Sequence, residues 1–433
     1  MFPHVTHYAL RASYVFPVDS PPLAGGVVVI DNGRITRVSA ELPPCGCKLY
    51  DLGNVALLPG LVNAHIHLDF SHLPVPLGRP GIAFADWLET VVLQRRENLA
   101  AETTDTKRLA VSGGLRESLE RGTTTLGNIS REENPHEKNS RGLDCVSFLE
   151  LIGLSAERAD AQRQRMVNWL LVAARHAGSM ASGWQAGISP HAPYTSRREL
   201  IAAACEASRK FHVPLAMHLA ESPEELQLLD SQNGPLVDVL TGLDAWDASA
   251  FERGLRPLDY LQLLAGAERA LVIHGNYLDA GEQAWLARHS ARMAVIYCPR
   301  THHHFGHSRY PLAELLAAGA TVALGTDGRG TNPDLSLLAE MRHAAHVHSE
   351  VSPSEIVRLG TLGGALALGC ADRVGSLKPG KDANLVAVRL PDRVNSDPHA
   401  LLLDSDTETM LTIYRGRLVF PRVSRIEELE LQQ

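Results

Sequence analysis

Apolar positions along this chain fall into two textures. Residues 1 to 57 read as short strands. Tyr8 to Val15, Gly26 to Ile30 and Ile35 to Val38 are β-branched stretches broken by turn sequences such as Asp31-Asn32-Gly33, an Asn-Gly pair suited to a two-residue hairpin. From residue 56 onward, short apolar runs alternate with stretches of helical period. Eight runs stand out, at 56–67, 123–129, 145–151, 184–190, 213–219, 270–275, 292–298 and 320–325. Ser196 to Phe211 shows the intervening pattern: Leu200, Ile201, Ala204, Ala207 and Phe211 share one helix face. Ser196 precedes Glu199 at capping-box spacing. Alternating β and α elements predict a parallel sheet, and eight of them predict a closed barrel rather than an open sheet. The stretch 223–266 is longer than one helix needs and is expected to insert over the barrel mouth. Past residue 370 the β texture returns, with a turn and apolar run over Val374–Val388 and a hairpin over Thr412–Phe420. The expected fold is α/β: a (β/α)8 TIM-type barrel over 58–370, flanked by a small β-sandwich domain built from 1–57 and 371–433.

Barrel enzymes place their active sites at the C-terminal ends of the strands, so the residues closing each run carry the chemistry. The first run ends in His65-Ile66-His67; side chains at i and i+2 of a strand face one side. The fourth ends in Ser189-Pro190-His191, the fifth in His218 with Glu221 three residues on, the sixth in His274. The seventh runs into Cys298-Pro-Arg-Thr-His302-His303-His304, and the eighth ends in Gly325-Thr326-Asp327. A single histidine of this kind is more often a hydrogen-bonded core or rim residue; six runs closed by polar groups at the same rim are a site. Three imidazoles and a carboxylate suit zinc, with iron(II) or manganese as alternatives. The assigned ligands are His65, His67, His218 and Asp327. A metal there lowers the pKa of a bound water toward ~7. Glu221 is placed to move a proton to and from that water, and His274 to hydrogen-bond it or the developing charge. A two-metal site needs a bridging ligand, often a modified Lys at the end of the fourth strand. His191 stands there, with no Lys between residues 139 and 209, so one divalent ion is expected. His191, one or more of His302, His303 and His304, Trp87 and Asn332 are expected to contact substrate. Arg95 and Arg96 read more simply as a solvated helix face, and Met166, Trp169 and Leu170 as core.

Composition narrows the partners. The chain has 433 residues, 45% hydrophobic and 21% charged, with a formal net charge of −8. That is no electrostatic footprint for nucleic acid, and no apolar run reaches the ~18 residues of a membrane span. Six cysteines spread along the chain without a zinc-ribbon spacing read as reduced thiols. With a start that lacks a basic-then-apolar leader, they point to a cytoplasmic enzyme of small molecules. No interface signal speaks for or against a homo-oligomer. The acidic tail from Glu427 to Gln433 reads as frayed.

These motifs resemble a known family. Pro59-Gly-Leu-Val-Asn-Ala-His-Ile-His67, His218-Leu-Ala-Glu221, His274, Gly325-Thr-Asp327 and Gly375-Ser-Leu-Lys-Pro-Gly-Lys-Asp382 look like the amidohydrolase superfamily, in its mononuclear branch of aromatic deaminases and chlorohydrolases. The resemblance covers nearly the whole chain. It implies a distorted barrel flanked by a β-sandwich, with His65, His67, His218 and Asp327 as ligands, Glu221 as proton shuttle and His274 beside them. Ser189-Pro-His-Ala-Pro-Tyr194 and His218-Leu-Ala-Glu-Ser-Pro-Glu-Glu225 resemble the adenosine-type deaminases, including those of aminodeoxyfutalosine and of S-adenosylhomocysteine/methylthioadenosine. Hydrolytic deamination of an adenosine-type purine derivative is the implied reaction. A chlorohydrolase or cyclic amidohydrolase using the same site is the alternative, and a non-catalytic scaffold would have no use for the ligands. Two stretches depart from the deaminase pattern: Gly328-Arg-Gly-Thr-Asn332 after Asp327, and Thr301 with three histidines after Cys298-Pro299. In the tail, Asn384 replaces the usual Asp.

Overall fold

A computed structural model describes residues 6–43, 46–98, 103–132, 142–176, 183–393, 395–404 and 406–421; the frayed tail expected at 427–433 lies outside them. Eight parallel strands form one sheet in sequential order: β1 (Leu61–Ile66), β2 (Thr123–Ser130), β3 (Asp144–Leu151), β4 (Trp184–Pro190), β5 (Leu215–Leu219), β6 (Ala270–His274), β7 (Met293–Tyr297) and β8 (Thr321–Leu324). An isolated parallel bridge, Ile66 to Asp327, joins the last strand to the first and closes the barrel. Helices such as Ala156–His176, Arg198–Phe211 and Leu337–Val347 lie between strands. Phe148, Ala216, Ile273, Ile296 and Ala323, from five strands, pack in one buried cluster.

The terminal regions form two further sheets. One joins the strands Arg34–Ser39, Val27–Asp31, His7–Arg11 and Lys48–Asp51. The other contains Val55–Pro59, Leu385–Arg389 and the hairpin Thr409–Tyr414/Arg417–Phe420. Tyr8, Leu10, Ile30, Leu57, Leu385 and Ile413 form their shared core. The turn Asn32-Gly33 joins two antiparallel strands with φ of +48° and +79°, the left-handed pair that a type I′ turn needs.

Two local expectations are corrected. The run 56–67 is two strands divided at Gly60: Val55–Pro59 pairs with Leu385–Arg389, while Leu61–Ile66 enters the barrel. A Cβ at Gly60 would lie 2.2 Å from Thr124 Oγ1, so only glycine lets the chain cross between sheets there. Secondly, Ser196 does not cap a helix. Its hydroxyl donates to the Leu151 carbonyl at 2.8 Å, and the helix starts at Arg198 with no side-chain cap. Met166, Trp169 and Leu170 are core, as read from the sequence. Among the described residues no helix is long and apolar enough to cross a membrane.

Candidate metal centre and active site

The barrel seam and the site are the same place. His65 O accepts the N–H groups of Thr326 and Asp327 at 3.1 Å each, and His67 N–H donates to Asp327 O at 2.5 Å. A Cβ on Gly325 would come within 2.9 Å of both His65 Cβ and His65 O, so glycine there permits the close approach of β8 to β1. Side-chain atoms converge from both strands and from β5. His65 Nε2 lies 3.2 Å and His67 Nε2 3.6 Å from Asp327 Oδ1, and His67 Nε2 lies 3.3 Å from His218 Nε2. Ligands 2.0–2.1 Å from a tetrahedral zinc stand ~3.3 Å from one another, and these three contacts are near that spacing; two overlapping triads, His65/His67/Asp327 and His65/His218/His274, bring donor atoms close enough to hold an ion. His218 Nδ1–H donates to His191 O at 2.9 Å, leaving Nε2 with a bare lone pair facing the others. Burial holds the His65 and His218 imidazoles below their ordinary pKa, and the neighbouring rings push His218 further down. Both are therefore neutral and able to ligate.

Two carboxyls share this cage and are driven apart. Burial acts against the charge on Asp327, but the hydrogen bond from His65 and the adjacent His67 outweigh it and hold the carboxyl well below its usual range. Glu221 is pushed well above its usual range by burial and then by the Asp327 charge. Such a split marks an acid and a base. Glu221 Oε1 lies 3.3 Å from His274 Nε2. Its backbone is pinned on both sides. Glu225, fully buried, accepts the N–H groups of Ala220 and Glu221 at 2.9 Å each, and Asn276 Nδ2 donates to Glu221 O at 2.9 Å.

Among the described residues, three of the nine non-glycine residues with positive φ sit at strand ends around this cage: Ala220 (+54°), His274 (+67°) and Asp327 (+57°). Backbone strain of this kind costs ~1–3 kcal/mol per residue and persists where its surroundings enforce it. At His274 it breaks strand alternation. Ile273 belongs to the barrel cluster, yet the His274 ring also turns in, 5.5 Å from the ring of His218.

A family model, described as the Amidohydrolase family, matches residues 56–419. The chain belongs to the amidohydrolase family. This amidohydrolase is 27% identical over 419 residues to the 5-methylthioadenosine/S-adenosylhomocysteine deaminase of Moorella thermoacetica, covering 93% of this chain and 89% of that one. Among solved structures, the aminofutalosine deaminase of Helicobacter pylori with methylthio-coformycin superposes with a TM-score of 0.80 at 21% identity, over 95% and 100% of the two chains. A zinc-bound atrazine chlorohydrolase of Arthrobacter aurescens gives 0.78 at 20%, over 98% of each. These two likenesses are of fold.

The cage forms the inner end of a cavity of about 700 Å³. His191 and Trp87 line it, as do Leu240 and Leu243 from the inserted stretch. The structure does not bring the other expected contacts there. His303 is exposed, and His302 is packed against Tyr297, Tyr310 and His307. His304 Nε2 meets Leu77 O at 3.2 Å. All three sit on a short helix, Pro299–His304, which turns them off the cavity wall. Asn332 is fully buried and donates to Thr301 Oγ1 and Thr326 O. The arginines, in contrast, are not a solvated face. Arg95 pairs with Asp69 at 2.8 Å over the Phe70 ring, Arg96 donates to Leu243 O, and both line the cavity. Sequence reading missed Glu150, a buried carboxylate on the wall, 2.9 Å from Arg131 Nε. Burial works against its charge, but Arg131 and His191 hold its pKa down at about 2. A lone Glu inside the apolar run Cys145–Leu151 was its signal.

Proposed function

We propose that this amidohydrolase hydrolytically deaminates an adenosine-type aminated heterocycle with one divalent ion, zinc in first place, held by His65, His67, His218 and Asp327. The observation that carries this is geometric: His65 and His67 converge on Asp327 Oδ1, His218 Nε2 lies 3.3 Å from His67 Nε2, and beside them Glu221 Oε1 lies 3.3 Å from His274 Nε2. The likeness to the 5-methylthioadenosine/S-adenosylhomocysteine deaminase along most of the chain supports the substrate class. The ion, when bound, supplies Lewis acidity and a nucleophilic water at neutral pH. Glu221, favoured in its protonated form, gives a proton to the ring nitrogen beside the carbon that bears the amine. Asp327, favoured as the anion, would accept one proton from the water and pass it to the departing ammonia, and Glu221 would recover the other from the added hydroxyl as the carbonyl forms. His274 Nε2, opposite Glu221 Oε1, steadies the developing negative charge. With His191 rather than Lys closing β4, one metal equivalent per chain is expected, and metal analysis of protein purified without chelator measures it.

The test of the reaction is product release from a panel: 5′-methylthioadenosine, S-adenosylhomocysteine, adenosine, amino-pyrimidines, and amino- and chloro-triazines. Ammonia from the adenosine derivatives is the expected result. Chloride from the triazines, with no ammonia from any purine, would replace deamination by halide displacement at the same centre.

A further inference from the structure

The two stretches that depart from the deaminase pattern meet behind one atom, Asp327 Oδ2. Thr331 Oγ1 lies 2.9 Å and Thr301 Oγ1 3.2 Å from it, and the two hydroxyls are 2.7 Å apart. Asn332 Nδ2 stands 3.2 Å from Thr301 Oγ1 and also against Thr326 O. That carbonyl accepts only, which fixes the orientation of the Asn332 amide. Asn332, Thr301 and Thr331 are 0%, 1% and 3% exposed. Each threonine hydroxyl has a single proton to give. The 2.7 Å contact uses one of them, and the shorter approach to the carboxylate belongs to Thr331. The donors then run one way: Asn332 Nδ2–H to Thr301 Oγ1, Thr301 O–H to Thr331 Oγ1, and Thr331 O–H to Asp327 Oδ2.

We infer that Thr301, Thr331 and Asn332 form a directed hydrogen-bond chain that positions Asp327. The chain occupies Oδ2 and so keeps Oδ1 turned to His65 and His67, at a residue whose backbone is strained. Thr301 and Thr331 follow different strands, β7 and β8, and meet only behind Asp327. The short helix Pro299–His304 supplies one hydroxyl through Thr301, and the glycine-rich segment after Asp327 supplies the other through Thr331. These are positioning residues, since they touch the carboxylate from behind and not from the cavity.

The inference rests on the proposed role of Asp327, and the experiment separates the two. Thr331→Val and Thr301→Val keep side-chain shape and remove a hydroxyl; Thr331→Ser keeps the hydroxyl. Metal affinity by chelator competition, and kcat and KM on whichever substrate the panel yields, are measured for each, with thermal melting as the check on folding. Thr331→Val should weaken metal binding or kcat by about 10–100-fold, the range for groups that orient a metal ligand, with KM little changed. Thr331→Ser should stay within about threefold of the parent, because the donor that orients the ligand is retained. In one chain a second break adds little, so Thr301→Val/Thr331→Val should be no worse than the poorer single variant. Parent-like metal affinity and kcat in Thr331→Val, or a Thr331→Ser variant as poor as Thr331→Val, overturns the chain. Asp327→Ala in the same competition assay tests the ligand itself. If it keeps its metal, the ligand assignment fails whatever the threonines do; if it loses metal while Thr331→Val keeps parent-like metal affinity and kcat, only the chain fails.

Discussion

The two ends of the cavity are built by different means. At the inner end every functional atom hangs from a strand terminus. His65 and Asp327 are tied by backbone hydrogen bonds across the seam, His218 by its own ring to a carbonyl, and Glu221 by paired N–H groups to Glu225. At the outer end the wall comes from the helix Phe84–Asn98, the helix Thr104–Glu120 and the inserted stretch near Leu243, with aliphatic side chains and the ion pairs Arg95–Asp69 and Arg131–Glu150. Backbone-fixed groups can hold geometry to a fraction of an ångström, as bond-making requires. Walls of long side chains on helices can change without disturbing that geometry. The same inner end can therefore serve different rings and leaving groups, while the outer wall decides which molecule reaches it.

The comparison breaks first at a proposed ligand. His218→Ala removes one corner of the cage and leaves the others without a complete set, so metal occupancy and activity should fall together. Metal analysis alongside turnover checks this. Retained metal with lost activity would move His218 out of the ligand set.

The next largest effect separates chemistry from metal binding. Glu221→Gln keeps the side-chain length and its place against His274 but cannot carry a transferable proton. It should bind about one metal and lose about 10²–10⁴ in kcat, the range of a positioned acid–base group. Turnover near that of the parent would hand the shuttle to Asp327 or His274. Loss of metal would make Glu221 a ligand.

The inner end was legible in the sequence for the reason that makes it rigid. Strand ends leave a fixed mark, an apolar run closed by a polar residue, and His65, His67, His218, His274 and Asp327 all carry it. What runs could not show was where one strand becomes two, because Gly60 interrupts the sheet without interrupting hydrophobicity. The outer wall left weaker marks. Arg95 and Arg96 have the spacing of a solvated helix face, and only the fold reveals Phe70, Asp69 and Leu243 O waiting for them. His302, His303 and His304 follow a strand end in sequence, yet the chain turns into a helix there and carries them away. Thr301 and Thr331 are 30 residues apart, and no local pattern links two threonines that meet behind Asp327.

A more moderate effect is expected at His191, where the two ends join. Its carbonyl accepts both His218 N–H and His218 Nδ1–H, each at 2.9 Å, and a substitution of the side chain leaves that carbonyl in place. Burial holds its ring pKa down at about 4, so the ring is neutral. Thr195 Oγ1 can give its proton to Ala192 O, 3.3 Å away, and so accept from His191 Nδ1 at 2.7 Å; Nε2 then remains an acceptor for a substrate donor. His191→Ala should keep its metal and lose about tenfold in kcat/KM, one hydrogen bond of ~1.4 kcal/mol. Loss of metal in this variant would mean that the ring, and not only the carbonyl, serves the cage.

The smallest effect belongs to Trp87, and it tests whether the outer wall acts only as a wall. Its ring stacks on Phe84 and meets Phe305 edge-on at 5.3 Å, and its Nε1–H donates to Gly330 O at 3.3 Å. Gly330 lies next to Thr331, so this bond ties the outer helix Phe84–Asn98 to the segment behind Asp327. Gly330 O also accepts Leu77 N–H at 2.9 Å, so Trp87→Phe strands no buried carbonyl and keeps the aromatic packing. A neutral hydrogen bond with a second donor in place is worth less than ~1 kcal/mol, so kcat/KM should fall by no more than about threefold, with kcat and metal content unchanged. Steady-state kinetics on two substrates that differ only in the substituent remote from the reacting ring check it. A loss above tenfold that depends on the substituent would put the indole N–H in contact with substrate. A loss confined to kcat would show that the outer helix transmits strain to Asp327 through Gly330, and the separation of the two ends would then hold for geometry but not for energy.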